Sequence, residues 1–228
     1  MSWFLSFYRS ALGKKAAMAA SGIVLWGFVL GHMTGNLKLF WGVEAINHYA
    51  EWLREVGQPL VPRTGLLWAA RVVLVLATLL HVHAAYALTV MNRRAHLGGY
   101  ARWEPQRSSF ASRTMRWSGV ALLLFVIVHL MHFTWGNAHP DFVAGDVHHN
   151  MVSAFEVWWV TLLYVVAMAL LGLHLFHGLW SMFQTLGWNH PRFNPWRRTF
   201  AVAFTVLITL GFLLVPLAIL AGLAGGSG

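Results

Sequence analysis

Histidines are placed inside the most apolar stretches of this sequence. Four long apolar segments each carry at least one, although a polar side chain within a bilayer is costly unless it has a partner. Neutral imidazole is a common metal ligand, and haem iron is among the metals it binds. The chain contains no cysteine, which excludes iron–sulfur ligation, disulfides and thiolate chemistry. Four histidine-bearing helices therefore predict two haem irons, each held by two imidazoles.

The depth of each histidine within its segment predicts which ones pair. At about 1.5 Å per residue, His32 and His129 lie roughly 9 and 12 Å from the face that we assign as outer. His81 and His174 lie about 26 Å from that face. We therefore predict an outer pair, His32 with His129, and an inner pair, His81 with His174, separated by roughly 15 Å in a four-helix core.

Three segments carry a second histidine that competes for the ligand position. His83 cannot share a helical face with His81, so only one of the two can point into the bundle. His132 follows His129 by three residues, and His177 follows His174 by three, each on nearly the same face, so both remain alternative ligands. A hydrogen bond to a haem propionate, or another polar contact, is the favoured role for each of these two. The alternates are His83, His132 and His177.

Composition indicates an integral membrane protein. Hydrophobic residues make up 58% of the 228 residues and charged residues only 10%, whereas a soluble domain carries about 25% charged residues. Spanning a bilayer takes about 20 apolar residues. We expect a single all-α domain over residues 1–228, in which the first four of five transmembrane helices form the haem-binding bundle. The predicted spans are 16–37, 65–91, 117–136, 154–186 and 199–223.

The basic residues predict the orientation of these spans. Twelve of the 16 Lys and Arg residues lie in the N-terminal segment and in the connections 92–116 and 187–198. The intervening connections carry three and none. The positive-inside rule therefore places the N-terminus in the cytoplasm and the C-terminus outside. This topology explains the net charge of +9 better than nucleic-acid binding does.

Arg71 lies inside the second predicted span, where a charge needs a partner. It precedes His81 by ten residues, which puts it roughly 15 Å nearer the outer face, at about the level of the outer pair. A haem propionate offers a carboxylate with bidentate geometry for the guanidinium. Snorkelling to the outer headgroups is the equally weighted alternative.

Several short motifs, spread over nearly the whole chain, resemble one family of membrane subunits. The similarity is to the dihaem cytochrome b anchor of succinate dehydrogenases and fumarate reductases, of the single-subunit, five-helix type. The motifs are GKK at 13–15, GHMTGNL at 31–37, EAINHYA at 44–50, LH at 80–81, NRRA at 92–95, RWSG at 116–119 and HLFHGLWS at 174–181.

This resemblance implies a cofactor set, partners and a location. It implies that two b haems are ligated by His32, His81, His129 and His174. It further implies a multi-pass subunit in the cytoplasmic membrane of a prokaryote, holding flavoprotein and iron–sulfur subunits on the cytoplasmic side. Succinate chemistry would then belong to a partner, while this chain passes electrons to a quinone, expected to be menaquinone. We expect 92–116 and 187–198 to contact the iron–sulfur subunit.

A quinone site needs an acid–base group and a path to water, because quinone reduction takes up protons. The first connection offers three carboxylates near the outer pair, together with His48 and Tyr49, and the resemblance associates an acidic residue there with menaquinol. An inner site walled by Trp103 and Trp180 is the alternative. The three carboxylates are Glu44, Glu51 and Glu55.

Two other functions fit the same residues. One is the quinone-reactive cytochrome b subunit of a hydrogenase or formate dehydrogenase. The other is a haem-free permease or structural membrane subunit, although a proton-relaying permease would be expected to carry Asp or Glu within its spans.

Overall fold

The computed structural model of the protein describes residues 3–95, 110–188 and 190–225. Within these ranges the regular structure is helical, with no β-strand. A 3-10 turn at Leu37–Trp41 follows the second helix. The α-helices are α1 Trp3–Arg9, α2 Ala11–Asn36, α3 Val43–Glu55, α4 Gly65–Ala95, α5 Phe110–Phe133, α6 Val147–Phe155, α7 Trp158–Thr185 and α8 Asn194–Leu220.

Five of these helices are long and apolar enough to cross a membrane. The candidate spans are Ala11–Trp41, Gly65–Ala95, Thr114–Phe133, Trp158–Thr185 and Asn194–Leu220. They confirm the predicted all-α architecture with five transmembrane helices. The first and second spans are longer than predicted, because helical structure continues into the flanking basic and polar residues.

The fourth span differs from its predicted bounds. Residues 154–186 read as one apolar run, but the chain breaks at Glu156 and Val157 into the short α6 and the long α7. Val157 has extended backbone, with ψ of 108°. The Thr161 hydroxyl donates to the Phe155 carbonyl over 2.8 Å, which pairs a backbone group left free at the end of α6. The connection before α7 is therefore partly helical.

Side-chain contacts give the relative direction of α5 and α7. Ser118 of α5 lies against His174 of α7, and His129 of α5 lies against Tyr164 of α7. The order of these contacts is reversed between the two helices, so α5 and α7 run antiparallel. Ser21 of α2 lies against His81 of α4 in a contact of the same kind as that of Ser118.

The fifth span packs into the bundle through small residues. A Cβ at Gly211 of α8 would come within 2.3 Å of the Met33 sulfur of α2, and one at Gly172 of α7 within 2.8 Å of the Thr209 hydroxyl of α8. Helix α8 thus covers α2 and α7 at close range. It runs without interruption through Pro216.

The connections at the outer end are tied to each other. Asn47 of α3 donates to the Asp146 carboxylate over 3.0 Å, and its amide oxygen accepts from the His148 backbone N–H over 3.0 Å. Asp146 also caps α6 by accepting from the His149 N–H. Together, Asn47 and Asp146 clamp α3 to α6 above the bundle; we call this contact the outer clamp.

Candidate haem sites

The outer pair joins α2 to α5. The ring centroids of His32 and His129 are 5.8 Å apart, and their planes lie at 79°. Phe28 stacks on the His32 ring and Phe125 on the His129 ring. Nδ1 of His129 lies 3.2 Å from the hydroxyl of Tyr164 on α7. Both histidines are half-buried.

The inner pair joins α4 to α7. The ring centroids of His81 and His174 are 6.2 Å apart, with planes at 54°. A serine from a further helix contacts each ring: Ser21 Oγ is 3.2 Å from Nδ1 of His81, and Ser118 Oγ is 3.3 Å from Nδ1 of His174. Both imidazoles are half-buried. The structure thus brings together the two pairs that the depth argument predicts.

The spacing within each pair fits one metal ion held between two imidazoles. A metal–imidazole bond is about 2 Å long, so two rings on opposite sides of one ion have centroids about 6 Å apart. No three or more His, Cys, Asp or Glu side chains gather into a metal site in the described part of the chain. A haem would supply the further donors from its own macrocycle, so two imidazoles are the protein ligands that it needs. Around Gly27 and Gly31 of α2, an added Cβ would meet nothing within 4 Å, which leaves room for such a group.

The alternate histidines make contacts outside the two pairs. Nδ1 of His83 is 2.7 Å from the Tyr8 hydroxyl, at the start of the chain. His132 is buried, with Nδ1 3.1 Å from Tyr164, and its ring stacks on His139 at 4.8 Å. His177 is half-buried, one turn beyond His174. The described ring contacts thus pair the four primary histidines across helices, and the ligand roles themselves remain predictions.

Arg71 is stacked on a neighbour of its own helix. Its guanidinium carbon lies 4.9 Å from the Trp68 ring centroid, and its side chain is exposed. Helix α4 is continuous from Arg71 to His81, so Arg71 keeps its level about 15 Å outward. Within the described ranges, the two ion pairs both involve Glu51. A propionate partner for Arg71 therefore stays a prediction.

The three glutamates of the first connection differ in environment. Glu51 accepts hydrogen bonds from Arg63 and, over 3.4 Å, from Arg54. The Arg63 hydrogen bond is the main cause that lowers the pKa of Glu51 below its ordinary value. A carboxylate held ionised in this way is a weak proton acceptor at neutral pH. Glu55 is exposed.

Glu44 lines an open cleft of about 720 Å³ with Trp41, Asn47 and His48. Trp41 ends the 3-10 turn that follows α2, so the cleft lies beyond the end of that helix. Gly35 of α2, which follows His32 by only three residues, lies against the Tyr49 ring of α3. Glu44 therefore lines a cleft at the end of the bundle that holds the outer pair.

The predicted docking surface is described in part. Residues 96–109, including Trp103, lie outside the described residues. In the second connection, Arg197 is buried; its guanidinium lies 4.6 Å from the Trp180 ring centroid and donates to the Trp188 carbonyl. Arg192 and Arg198 are exposed. Arg197 therefore holds the start of α8, and the two exposed arginines remain available to a partner.

The sequence-based prediction did not include Ser21, Ser118 or Tyr164. A repeated pattern marks the two serines: Ser21–Gly22 precedes His32 by eleven residues, and Ser118–Gly119 precedes His129 by the same distance. The segments 21–33 and 118–130 read SGIVLWGFVLGHM and SGVALLLFVIVHL, identical at six of 13 positions. This internal similarity is the signal that would have found the serines.

The comparison with protein families identifies the kind of subunit. Residues 91–215, more than half of the chain, match the family model described as succinate dehydrogenase/fumarate reductase transmembrane subunit. The chain belongs to this family. The match confirms the predicted family and its role as a multi-pass membrane anchor.

This anchor subunit has no match among curated proteins or solved structures. The region that matches the family contains His129, His174, Ser118 and Tyr164, whereas His32 and His81 precede it. Family membership implies association with catalytic subunits and a quinone in the membrane. The alternatives, a hydrogenase or formate dehydrogenase subunit and a permease, gain no support from the match.

Proposed function

We propose that this subunit is a dihaem cytochrome b that anchors succinate:quinone oxidoreductase and passes electrons to menaquinone. His32 and His129 hold the outer haem b, and His81 and His174 hold the inner one. The single observation that supports this most strongly is the pairing of four histidines from four helices at two levels, each with the ring spacing that one metal ion needs. Bound haem supplies a one-electron carrier at each level.

The chain's own residues give that function a direction. The basic end, with Arg93, Arg94, Arg116 and Arg192, faces the cytoplasm by the positive-inside rule. The flavoprotein and iron–sulfur subunits dock at this end, nearest the inner pair. The outer pair then lies nearest the quinone, so electrons from succinate are delivered across the membrane.

We place the quinone at the outer end, against the first connection. Glu44 supports this, because it borders the cleft beyond the end of α2, and the two ion pairs among the described residues both involve Glu51 instead. An inner site beside Trp180 is less favoured, since the Arg197 guanidinium already lies against that ring.

Replacing each glutamate by glutamine tests the quinone site. We expect Glu44→Gln to lower quinone-linked turnover, Glu51→Gln and Glu55→Gln to have smaller effects, and haem content to stay the same in all three. The measurement is succinate:quinone activity beside haem content in the purified complex. Full turnover in the triple variant would reject a first-connection acid.

A difference spectrum tests the proposed function itself. The complex, purified through this subunit, should show b-type absorbance equal to two haems per chain when reduced. It should also contain a flavoprotein and an iron–sulfur subunit. A properly assembled complex without b-type absorbance would refute the cytochrome proposal while leaving family membership untouched.

A further inference from the structure

Buried hydroxyl groups contact three of the four predicted haem ligands at the same ring atom. Each lies 3.2 or 3.3 Å from Nδ1 of a histidine on another helix: Ser21 with His81, Ser118 with His174, and Tyr164 with His129. The three residues are 3%, 1% and 6% exposed. Because they are almost fully buried, each hydroxyl has few other partners to choose from.

The direction of the serine hydrogen bonds follows from the proton count. Ser21 donates its hydroxyl proton to the Ala17 carbonyl over 2.7 Å, and Ser118 donates to the Met115 carbonyl over 3.0 Å. A hydroxyl has one proton, so a serine that donates it to this carbonyl accepts from its imidazole. Nδ1 therefore carries the imidazole proton, and the free lone pair lies on Nε2. Both inner histidines are thus held in the tautomer that binds a metal through Nε2.

Tyr164 gives its two histidine neighbours different roles. Its hydroxyl oxygen lies 3.2 Å from Nδ1 of His129 and 3.1 Å from Nδ1 of His132. A His129 that binds a metal through Nε2 carries its proton on Nδ1 and donates it to that oxygen, so the single tyrosine proton goes to His132. His132 then carries its own proton on Nε2. This arrangement leaves Nε2 of His129 free for a metal and blocks Nε2 of His132.

Helix geometry explains why these residues stand where they do. Ser21 and Ser118 precede His32 and His129 by eleven residues, and Tyr164 precedes His174 by ten. Three helical turns are about 10.8 residues, or roughly 16 Å, which returns to the same face at the level of the other pair. Three of the four helices that supply a ligand to one pair, α2, α5 and α7, thus supply a hydroxyl to the other pair.

The glycine after each serine lets the imidazole lie close to the helix. A Cβ at Gly22 would be 3.5 Å from Cε1 of His81, and one at Gly119 would be 3.6 Å from Cε1 of His174. Nδ1 is the next nearest ring atom at both glycines, so each Ser-Gly pair borders the Nδ1–Cε1 edge of its imidazole. The two pairs form equivalent seats for the inner histidines.

We propose that Ser21, Ser118 and Tyr164 are positioning residues that fix the tautomer and raise the donor strength of the haem ligands. This proposal rests on the proposed haem function. A hydrogen-bond acceptor on the second nitrogen makes a ligating imidazole more basic. The more basic ligand stabilises oxidised iron, so these hydroxyls lower the midpoint potential of the haem that each one serves.

Redox titration of the purified complex tests the proposal haem by haem. Ser21→Ala and Ser118→Ala should each raise the midpoint potential of the inner haem and leave the outer haem unchanged. Tyr164→Phe should raise the potential of the outer haem only. The low-spin signal of the affected haem in electron paramagnetic resonance should also shift, because the imidazole loses the contact that orients its ring.

Ser181→Ala is the matched control. Its hydroxyl is half-buried on α7 and donates to the Gly178 carbonyl over 3.1 Å, so the variant removes a similar helix-bonded hydroxyl. It should leave both potentials at their wild-type values. A shift as large as that of Ser118→Ala would overturn the proposal.

Loss of the inner haem in an alanine variant would leave no inner potential to measure. In that case the Ser118→Cys variant is titrated instead, because sulfur is a weak acceptor of similar size. A smaller upward shift in that variant supports the proposal, and no shift overturns it. Haem present with unchanged potentials in all three hydroxyl variants would reject this proposal alone, whereas a wild-type complex without haem would reject the proposed function as well.

Discussion

At the scale of single residues, the neighbour on another helix distinguishes the predicted ligand from the alternate. His174 and His177 are three residues apart on one helix and differ little in sequence context. Only His174 has the His81 ring opposite it at 6.2 Å. A haem held by two histidines needs their imidazoles on opposite sides of one iron, so this spacing favours His174 as the ligand.

Replacing His174 and His177 by alanine, one at a time, compares their roles in haem binding. We expect His174→Ala to lose the inner haem and keep the outer one. The inner iron would then have only one of its two axial imidazoles, that of His81. His177→Ala should keep both haems. Haem content and low-spin spectra of the purified complex measure this. Two unchanged low-spin haems in His174→Ala would move the ligand assignment to His177.

Replacing the intramembrane arginine tests a second residue. Arg71→Leu should lower the potential of the outer haem, because a nearby cation favours the reduced, electron-rich state. Arg71→Lys keeps the charge and should change the potential less, while Trp68→Leu removes only the stacked ring. Potentiometric titration reads the result. An unshifted outer potential in Arg71→Leu would mean that the guanidinium extends to the outer headgroups.

The sequence predicted the histidine pairs because depth along a helix is a linear quantity. Counting residues from the ends of the apolar runs placed His32 level with His129, and His81 level with His174, while the resemblance to the family helped to choose within each histidine doublet. The Tyr164 hydroxyl and the Arg63 partner of Glu51 could not be found in that way. They depend on which faces of two helices meet, and residue counts do not determine rotation about a helix axis.

At the scale of elements, the apolar run at 154–186 concealed a boundary. The sequence offered no Gly or Pro there to indicate the break at Glu156 and Val157, and hydropathy alone continues across it. The start of α6 did carry a signal, since Asp146 stands three residues before His149 as an N-cap. The outer clamp between Asn47 and Asp146 joins residues 99 apart, which no local pattern reveals.

Removing the clamp carboxylate should loosen the outer connections. Asp146→Ala loses an N-cap worth about 1 kcal/mol, so the open population of α6 should rise about fivefold. Limited proteolysis from the outer side of sealed vesicles should cleave the connection faster by that factor. Asp141→Ala is the control, because the described hydrogen bonds of Asp141 are made by its backbone. Equal cleavage rates in the two variants would contradict the clamp.

The same clamp predicts a pH dependence. The hydrogen bond from the His149 N–H, followed by that from the Asn47 amide, lowers the pKa of Asp146 below its ordinary value. The clamp therefore contributes its full stability above the unfolded aspartate pKa of about 3.9. It loses that stability as the pH falls through the lower pKa of the folded state. The difference in cleavage between wild type and Asp146→Ala should vanish over that acid range and persist at neutral pH.

At the scale of the whole molecule, charge and the depth of the histidine pairs make the two ends of the bundle different. The end with the starts of α2, α5 and α8 carries most of the basic residues and lies nearest the inner pair. The other end carries the outer clamp, the cleft at Glu44 and the outer pair. A helical bundle with this asymmetry suits electron transfer from a soluble partner at one face to a membrane quinone near the other.

Single cysteines test this orientation and the docking surface together, because the chain has no cysteine of its own. Arg192→Cys and Asp141→Cys replace exposed residues in connections assigned to opposite ends. An impermeant maleimide should label Arg192→Cys only in inverted vesicles and Asp141→Cys only in right-side-out vesicles.

In detergent, the assembled complex should protect Arg192→Cys, while the isolated subunit should not. Labelling of Asp141→Cys should be the same in both, since the partner subunits dock at the opposite end. Label at Arg192→Cys from the outer side would reverse the topology, and equal labelling with and without partners would exclude that turn from the docking surface.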